Sequence, residues 1–141
     1  MIAEDYVSFE TTKLLKEKGF ESDCCHTAYD CNGEFFWCGD YSKDRKGIMD
    51  APTLQMVMKW LRTIHNIDIE ISAEVGILGT RVYVPMISTY RNRKNAPEKL
   101  TQLKFGLYYK NDKGGVPALK YYKTNEEACE AGIKYCLENL I

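Results

Sequence analysis

Nowhere in the sequence does an apolar run approach the ~18 residues that a membrane-crossing helix needs. The first five residues, Met1-Ile2-Ala3-Glu4-Asp5, are acidic where a secretory leader would be basic, and no apolar stretch follows them. Both absences predict a soluble, cytoplasmic protein with no membrane partner. There is also no excess of charge: 19 basic and 20 acidic side chains leave a net −1, which gives the whole chain no attraction for polyanions. The phosphate-binding patterns G-x-x-x-x-G-K-[ST] and G-x-G-x-x-G are missing, as is the nucleophile pattern G-x-S-x-G. "DYSKDRKG" (40–47) lacks the acidic spacing and closing Glu of a calcium loop. Repeats, low-complexity tracts and linkers are absent as well, so residues 1–141 are expected to form one domain. A domain of about that length buries roughly 68–70% of its unfolded surface and needs neither metal nor disulfide to fold.

Cysteine is not scarce. Four of the six thiols fall in "DCCHTAYDCNGEFFWC" (23–38), with one of the two histidines. In a reducing compartment they are expected as free thiols. Cys24, Cys25, His26, Cys31 and Cys38 supply enough ligands for zinc, but neither C-x-x-C nor H-x-x-x-H occurs. Asn32-Gly33 predicts a two-residue type I′ hairpin turn. On a strand, adjacent Cys24 and Cys25 would face opposite sides, which disfavours a shared ion. A reactive thiol needs a partner that lowers its pKa. Cys24 and His26 have the spacing to share a strand face, but such a pair arises easily by chance in a cysteine-rich stretch. Cys129 and Cys136 fall on the apolar side of a helix, where a thiol acts as a small hydrophobe. No metal, cofactor or catalytic residue is expected, and the chain leans away from catalysis.

Three helices stand out. The first runs from an N-cap at Ser8 to Lys18, with Gly19 beyond its end. The second occupies "APTLQMVMKWLRTIHN" (51–66), with Pro52 near its first turn and Asn66 at its stop. Leu54, Val57, Met58, Leu61 and Ile64 form its core stripe, with Met56 and Trp60 on an adjacent face. His65, at its end, is expected to meet terminal carbonyls or solvent. The third has Thr124 as cap and Glu127 three residues on, then an apolar face of Ala128, Cys129, Gly132, Ile133, Cys136, Leu137 and Leu140.

Between the helices, residues 39–51 and 91–100 read as loops. "IDIEISAE" (67–74) alternates strictly and predicts a strand with one wet face. "VGILG" turns the chain. Further strands are expected at 80–90, 101–110 and 116–123, with Pro85 marking an edge or a bulge. The resulting order is α-ββ-α-ββββ-α, an α+β two-layer sandwich on a mostly antiparallel sheet.

"SFETTKLLKEKGF" (8–20), "APTLQMVMKWLRTIHNIDIEI" (51–71) and "NEEACEAGIKYCLENLI" (125–141) together resemble small uncharacterised proteins of gut Bacteroides-type bacteria, their phages and mobile elements. The resemblance covers about a third of the chain. It implies a fold and a mobile-element source, and it brings no catalytic motif.

Charge is unevenly spread. Residues 1–50 hold 6 basic and 11 acidic groups, whereas residues 80–124 hold 10 and 2. In that second block Arg91, Arg93, Lys94, Lys99, Lys104, Lys110 and Lys120 are interleaved with Tyr108 and Tyr122. Cations that reach phosphates beside aromatics that stack on bases would suit a nucleic acid. The plainer reading is a solvated sheet face whose lysines resist edge-to-edge aggregation. Met56 and Trp60 offer a protein interface if they are exposed, and core packing if they are not. The sequence therefore points to a non-enzymatic binding or accessory protein acting through an unknown protein partner or self-association, with nucleic-acid binding as the first alternative and a thiol-dependent enzyme as the second.

Overall fold

The computed structural model describes residues 4–22, 26–37, 47–93, 96–106, 108–109 and 118–141, with the backbone alone for those between 91 and 119. Its first helix, α1 (Phe9–Glu17), begins where Ser8 leaves the extended region, and the Ser8 hydroxyl accepts from the Thr11 N–H at 3.3 Å. At the other end Gly19 adopts φ +81°. That lets the Phe20 N–H reach the Leu15 carbonyl at 2.9 Å and the Gly19 N–H reach that of Lys16 at 3.2 Å. This paired closure satisfies carbonyls that the helix would otherwise leave open.

The remaining elements are β1 (Thr27–Tyr29), β2 (Phe35–Trp37), β3 (Met49–Asp50), α2 (Leu54–His65), β4 (Ile67–Val75), β5 (Arg81–Arg93), β6 (Ala96–Gly106), β7 (Tyr108–Tyr109), β8 (Ala118–Leu119) and α3 (Asn125–Asn139). The protein is an α+β fold with three helices and antiparallel strand pairing among the described residues. Among the described residues the strands do not form one sheet. They lie in the orders β2-β1-β3 and β4-β5-β6, with β7-β8 as a separate pair.

The chain divides into two compact units, Met1–Val57 with Ile133–Ile141, and Met58–Gly132. In the first, α1 lies against the small sheet. The Phe9 ring meets Tyr29 edge-on at 5.6 Å, and the Tyr29 hydroxyl donates to the Val7 carbonyl at 2.7 Å. Val7, Thr11, Thr12, Leu15, Ala28 and Ala51 are buried there. The Lys18 ammonium donates to the Ile141 carbonyl at 2.8 Å.

In the second unit β4 pairs with β5 from Ile67↔Thr89 to Val75↔Arg81 without a break. The start of α3 packs on this ribbon. Its buried Gly132 lies so close that a Cβ there would sit 3.1 Å from Ile69 Cγ2 and 3.3 Å from Pro85 Cβ. Pro85 has no ladder hydrogen to donate; it stands opposite Ile71 of β4, and among the described residues β6 pairing begins next to it, at Met86↔Gly106. Thr124 caps α3 as expected, accepting from the Glu127 N–H at 3.1 Å.

Several expectations need correction. The segment read as a loop over 39–51 ends in β3, because Met49 and Asp50 pair with Tyr29 and Ala28. Of the basic stretch 91–100, the described residues lie in strands rather than a loop. β5 continues to Arg93 and β6 starts at Ala96, with a register shift after Asn92, since charged residues are tolerated in strands wherever backbone partners are available. The strand expected over 101–110 ends at Gly106, and Tyr108–Tyr109 pairs instead with β8. Of the strand expected over 116–123, the described residues form β8 and a bridge between Tyr122 and Tyr83. α2 starts at Leu54 after a cap by Thr53, whose hydroxyl accepts from the Met56 N–H at 3.2 Å. Ile64, assigned to the core stripe, is 63% exposed because the last turn of α2 carries it past the buried face. The "NDKGG" turn and residues 39–46 of the loop expected over 39–51 lie outside the described residues.

Candidate functional site

The hairpin that carries the thiols is built differently from its sequence signal. Cys31 and Asn32 keep negative φ, and only Gly33 enters the left-handed region, at +83°. The Gly33 N–H donates to the Asp30 carbonyl at 3.1 Å and the Asp30 N–H to the Glu34 carbonyl at 3.0 Å. This is a three-residue loop closed by a left-handed glycine, not the two-residue type I′ turn expected from Asn32-Gly33. Asp30 fixes it: one carboxylate oxygen accepts from the Asn32 N–H at 2.8 Å and the Glu34 N–H at 2.9 Å.

Of the five candidate zinc ligands, Cys24, Cys25 and Cys38 lie outside the described residues. Cys31 is an exposed free thiol on the loop. The exposed His26 stacks on Trp37, with ring centroids 5.8 Å apart. Among the described residues no three His, Cys, Asp or Glu side chains gather as a metal would require.

Cys129 and Cys136 are buried on α3, as expected for structural thiols. The Cys129 thiol points its hydrogen at Met58 Sδ, 3.0 Å away. Burial pushes both thiols up to about 12; Glu130 and Glu126 add to the effect at Cys129. Thiols held protonated in this way are poor nucleophiles. His65 does not meet a terminal carbonyl through Nε2, which is buried without a hydrogen-bond partner. Its ring stands edge-on to Trp60 at 4.5 Å, and burial lowers its pKa. Trp60 and Met56 are both half-buried.

The residues proposed for nucleic acid are only partly described. Lys94 and Lys110 lie outside. For Arg91, Arg93, Lys99, Lys104 and Tyr108 the backbone gives strand positions: 91 stands opposite 101, and 104 opposite 88. Two-residue alternation puts position 91 in the row of the buried Ile87 and Thr89, and position 104 in the row of Ser88. Lys120 is exposed and Tyr122 half-buried, its backbone bound in both directions to Tyr83 at 2.8 Å.

Two apolar surfaces went unnoticed in the sequence. The first is the tip of the β4–β5 hairpin. Gly76 N–H to Thr80 carbonyl at 2.7 Å and Gly79 N–H to Gly76 carbonyl at 2.9 Å close it, with Gly79 at φ +73°. This is the same loop construction as at Asp30–Glu34. The earlier loop carries Cys31-Asn32 at its crest; this one carries Ile77-Leu78. Ile77 is fully exposed, Leu78 90% and Val75 80%. The second surface is β2, the outer strand of its sheet, where Trp37 is 72% and Phe35 46% exposed on one face. Phe35 rests on Tyr6 and Tyr29, with centroids 4.9 and 5.5 Å away.

No described helix is long and apolar enough to cross a membrane. Comparison with protein-family models, with curated proteins and with solved structures found no match.

Proposed function

We propose that the protein is a non-enzymatic binding or accessory protein of mobile-element type that works through protein–protein contacts. The observation that carries this reading is the hairpin tip, where Val75 at the end of β4 and Ile77 and Leu78 on the loop face solvent, the loop being closed by backbone hydrogen bonds. A loop of this geometry is indifferent to the side chains at its crest, as the polar Cys31-Asn32 pair shows, so folding does not demand aliphatics there. Burying three such side chains is worth roughly 1.5–3 kcal/mol each. Association itself costs about 4–15 kcal/mol, so the tip serves as the anchor of a contact that surrounding residues complete. Met56 and Trp60, being half-buried, are weaker anchors. The nucleic-acid alternative has less support, because the register separates positions 91 and 104 onto opposite rows of the sheet.

The test is copurification from the native host. A specific partner is expected with the wild-type chain and lost with Ile77→Ser/Leu78→Ser, while the thermal midpoint of the variant stays at or above wild type. A partner retained by the double variant would contradict the assignment to the tip.

A further inference from the structure

The outer edge of β2 carries a pattern that is complementary to itself. In the antiparallel β1–β2 ladder, the Asp30 N–H to Glu34 carbonyl bond makes positions 30 and 34 a hydrogen-bonded pair. The bonding type alternates along such a ladder, so Ala28↔Phe36 is bonded, and Tyr29↔Phe35 and Thr27↔Trp37 are not. The N–H and C=O groups of Phe35 and Trp37 therefore point away from β1, and among the described residues no strand pairs with them. Phe35–Trp37 holds no lysine, proline or bulge, which are the usual guards of an open edge.

We propose that this edge pairs with β2 of a second copy of the chain, antiparallel and centred on Phe36, joining two three-stranded sheets into one of six strands. The inference rests on the protein-contact reading above but uses a different surface. Centring on Phe36 places Phe35 opposite Trp37 of the second copy, and Trp37 opposite Phe35. Those positions own the outward groups, so all four outward N–H and C=O groups of each strand find partners. A centre at Phe35 or Trp37 would match fewer described groups. The same register brings each exposed Trp37 beside a Phe35 across the strands, a favourable kind of pair. It also keeps the two Glu34 carboxylates four residues apart, roughly 13 Å along the strands. A three-residue edge with two aromatic pairs is a small interface, so the dimer should be concentration-dependent.

The experiment is sedimentation equilibrium of the full chain over a concentration series up to about 1 mM, with Kd read from the mass average. The wild type is expected to rise from 16.3 kDa toward twice that mass. Trp37→Pro keeps the β1 ladder, because its N–H faces outward, and should weaken association at least tenfold; Trp37→Tyr should retain it. A photoreactive phenylalanine analogue at position 36 should cross-link to residues 35–37 of the second copy. A constant 16.3 kDa at every concentration, or a dimer indifferent to Trp37→Pro in a variant with an unchanged circular dichroism spectrum, overturns the proposal. A cross-link from position 36 into another protein also overturns it, while leaving the protein-contact reading standing.

Discussion

Gly132 and Ile69 lie in near-contact across the α3–β4 junction, where a Cβ on the glycine would stand 3.1 Å from Ile69 Cγ2. The hydrogen at that position lets the helix settle onto the ribbon. Both neighbours that a methyl group would meet, Ile69 Cγ2 and Pro85 Cβ, sit close to their own backbones and yield little.

Gly132→Ala therefore sets two effects against each other. Helix propensity gains about 1 kcal/mol, and overpacking costs about 1–3 kcal/mol. With two rigid neighbours the second should prevail, for a net loss of about 1 kcal/mol in urea denaturation.

Asp30→Ala removes the acceptor for two backbone N–H groups, and Gly33→Ala forces a side chain into φ +83°, 3.1 Å from the Phe9 ring. Each should destabilise the first hairpin by about 1–2 kcal/mol, with Gly33→Ala the worse. Asn32→Ala should cost less than either, because Asn32 is not in the left-handed region. Chemical denaturation of the three variants gives the ranking.

Cys129 and Cys136 give the fold an alkaline limit. Burial in the folded protein pushes both thiols up from the ordinary 9.0 to about 12. The stability tied to the protonated thiols is full below pH 9 and declines as pH rises from there toward 12. The thermal midpoint should fall across that window, and fall less steeply in Cys136→Ala compared with its own value at pH 8. Both thiols should alkylate far more slowly at neutral pH than the exposed Cys31.

His65 acts at the other end of the scale. Burial lowers its pKa below 6.5, so the unfolded chain takes up the proton first. Stability is full above pH 6.5 and declines as pH falls through the folded value. His65→Gln should flatten the acid limb of the stability profile, and the midpoint of thermal unfolding between pH 7 and 5 measures it.

Local chemistry was the most legible part of the sequence. Ser8, Gly19 and Thr124 punctuate helices through bonds to near neighbours, Asn66 stops α2 by entering the left-handed region at φ +54°, and the alternation over 67–74 needs only period two. Register was not legible. Whether Asn32-Gly33 makes a two- or three-residue loop depends on Tyr29 meeting Phe35, a choice made by the Phe9, Tyr29 and Phe35 rings that pack around it. Likewise Arg91 to Arg93 looked like loop because of their charge, but β6 supplies backbone partners that no local pattern announces. The hairpin tip left a usable signal: in "VGILG" two aliphatics stand between glycines, where a turn ordinarily carries polar residues. Their exposure follows from the length of the ribbon, which only the β4–β5 pairing reveals.

The central claim, that the hairpin tip is a contact surface, is tested most directly by in-cell photocross-linking from position 78, with position 134 on the exposed side of α3 as reference. A discrete adduct from position 78, missing from position 134 and lost on adding Ile77→Ser, is the predicted result. Equal, diffuse cross-linking from both positions would contradict it.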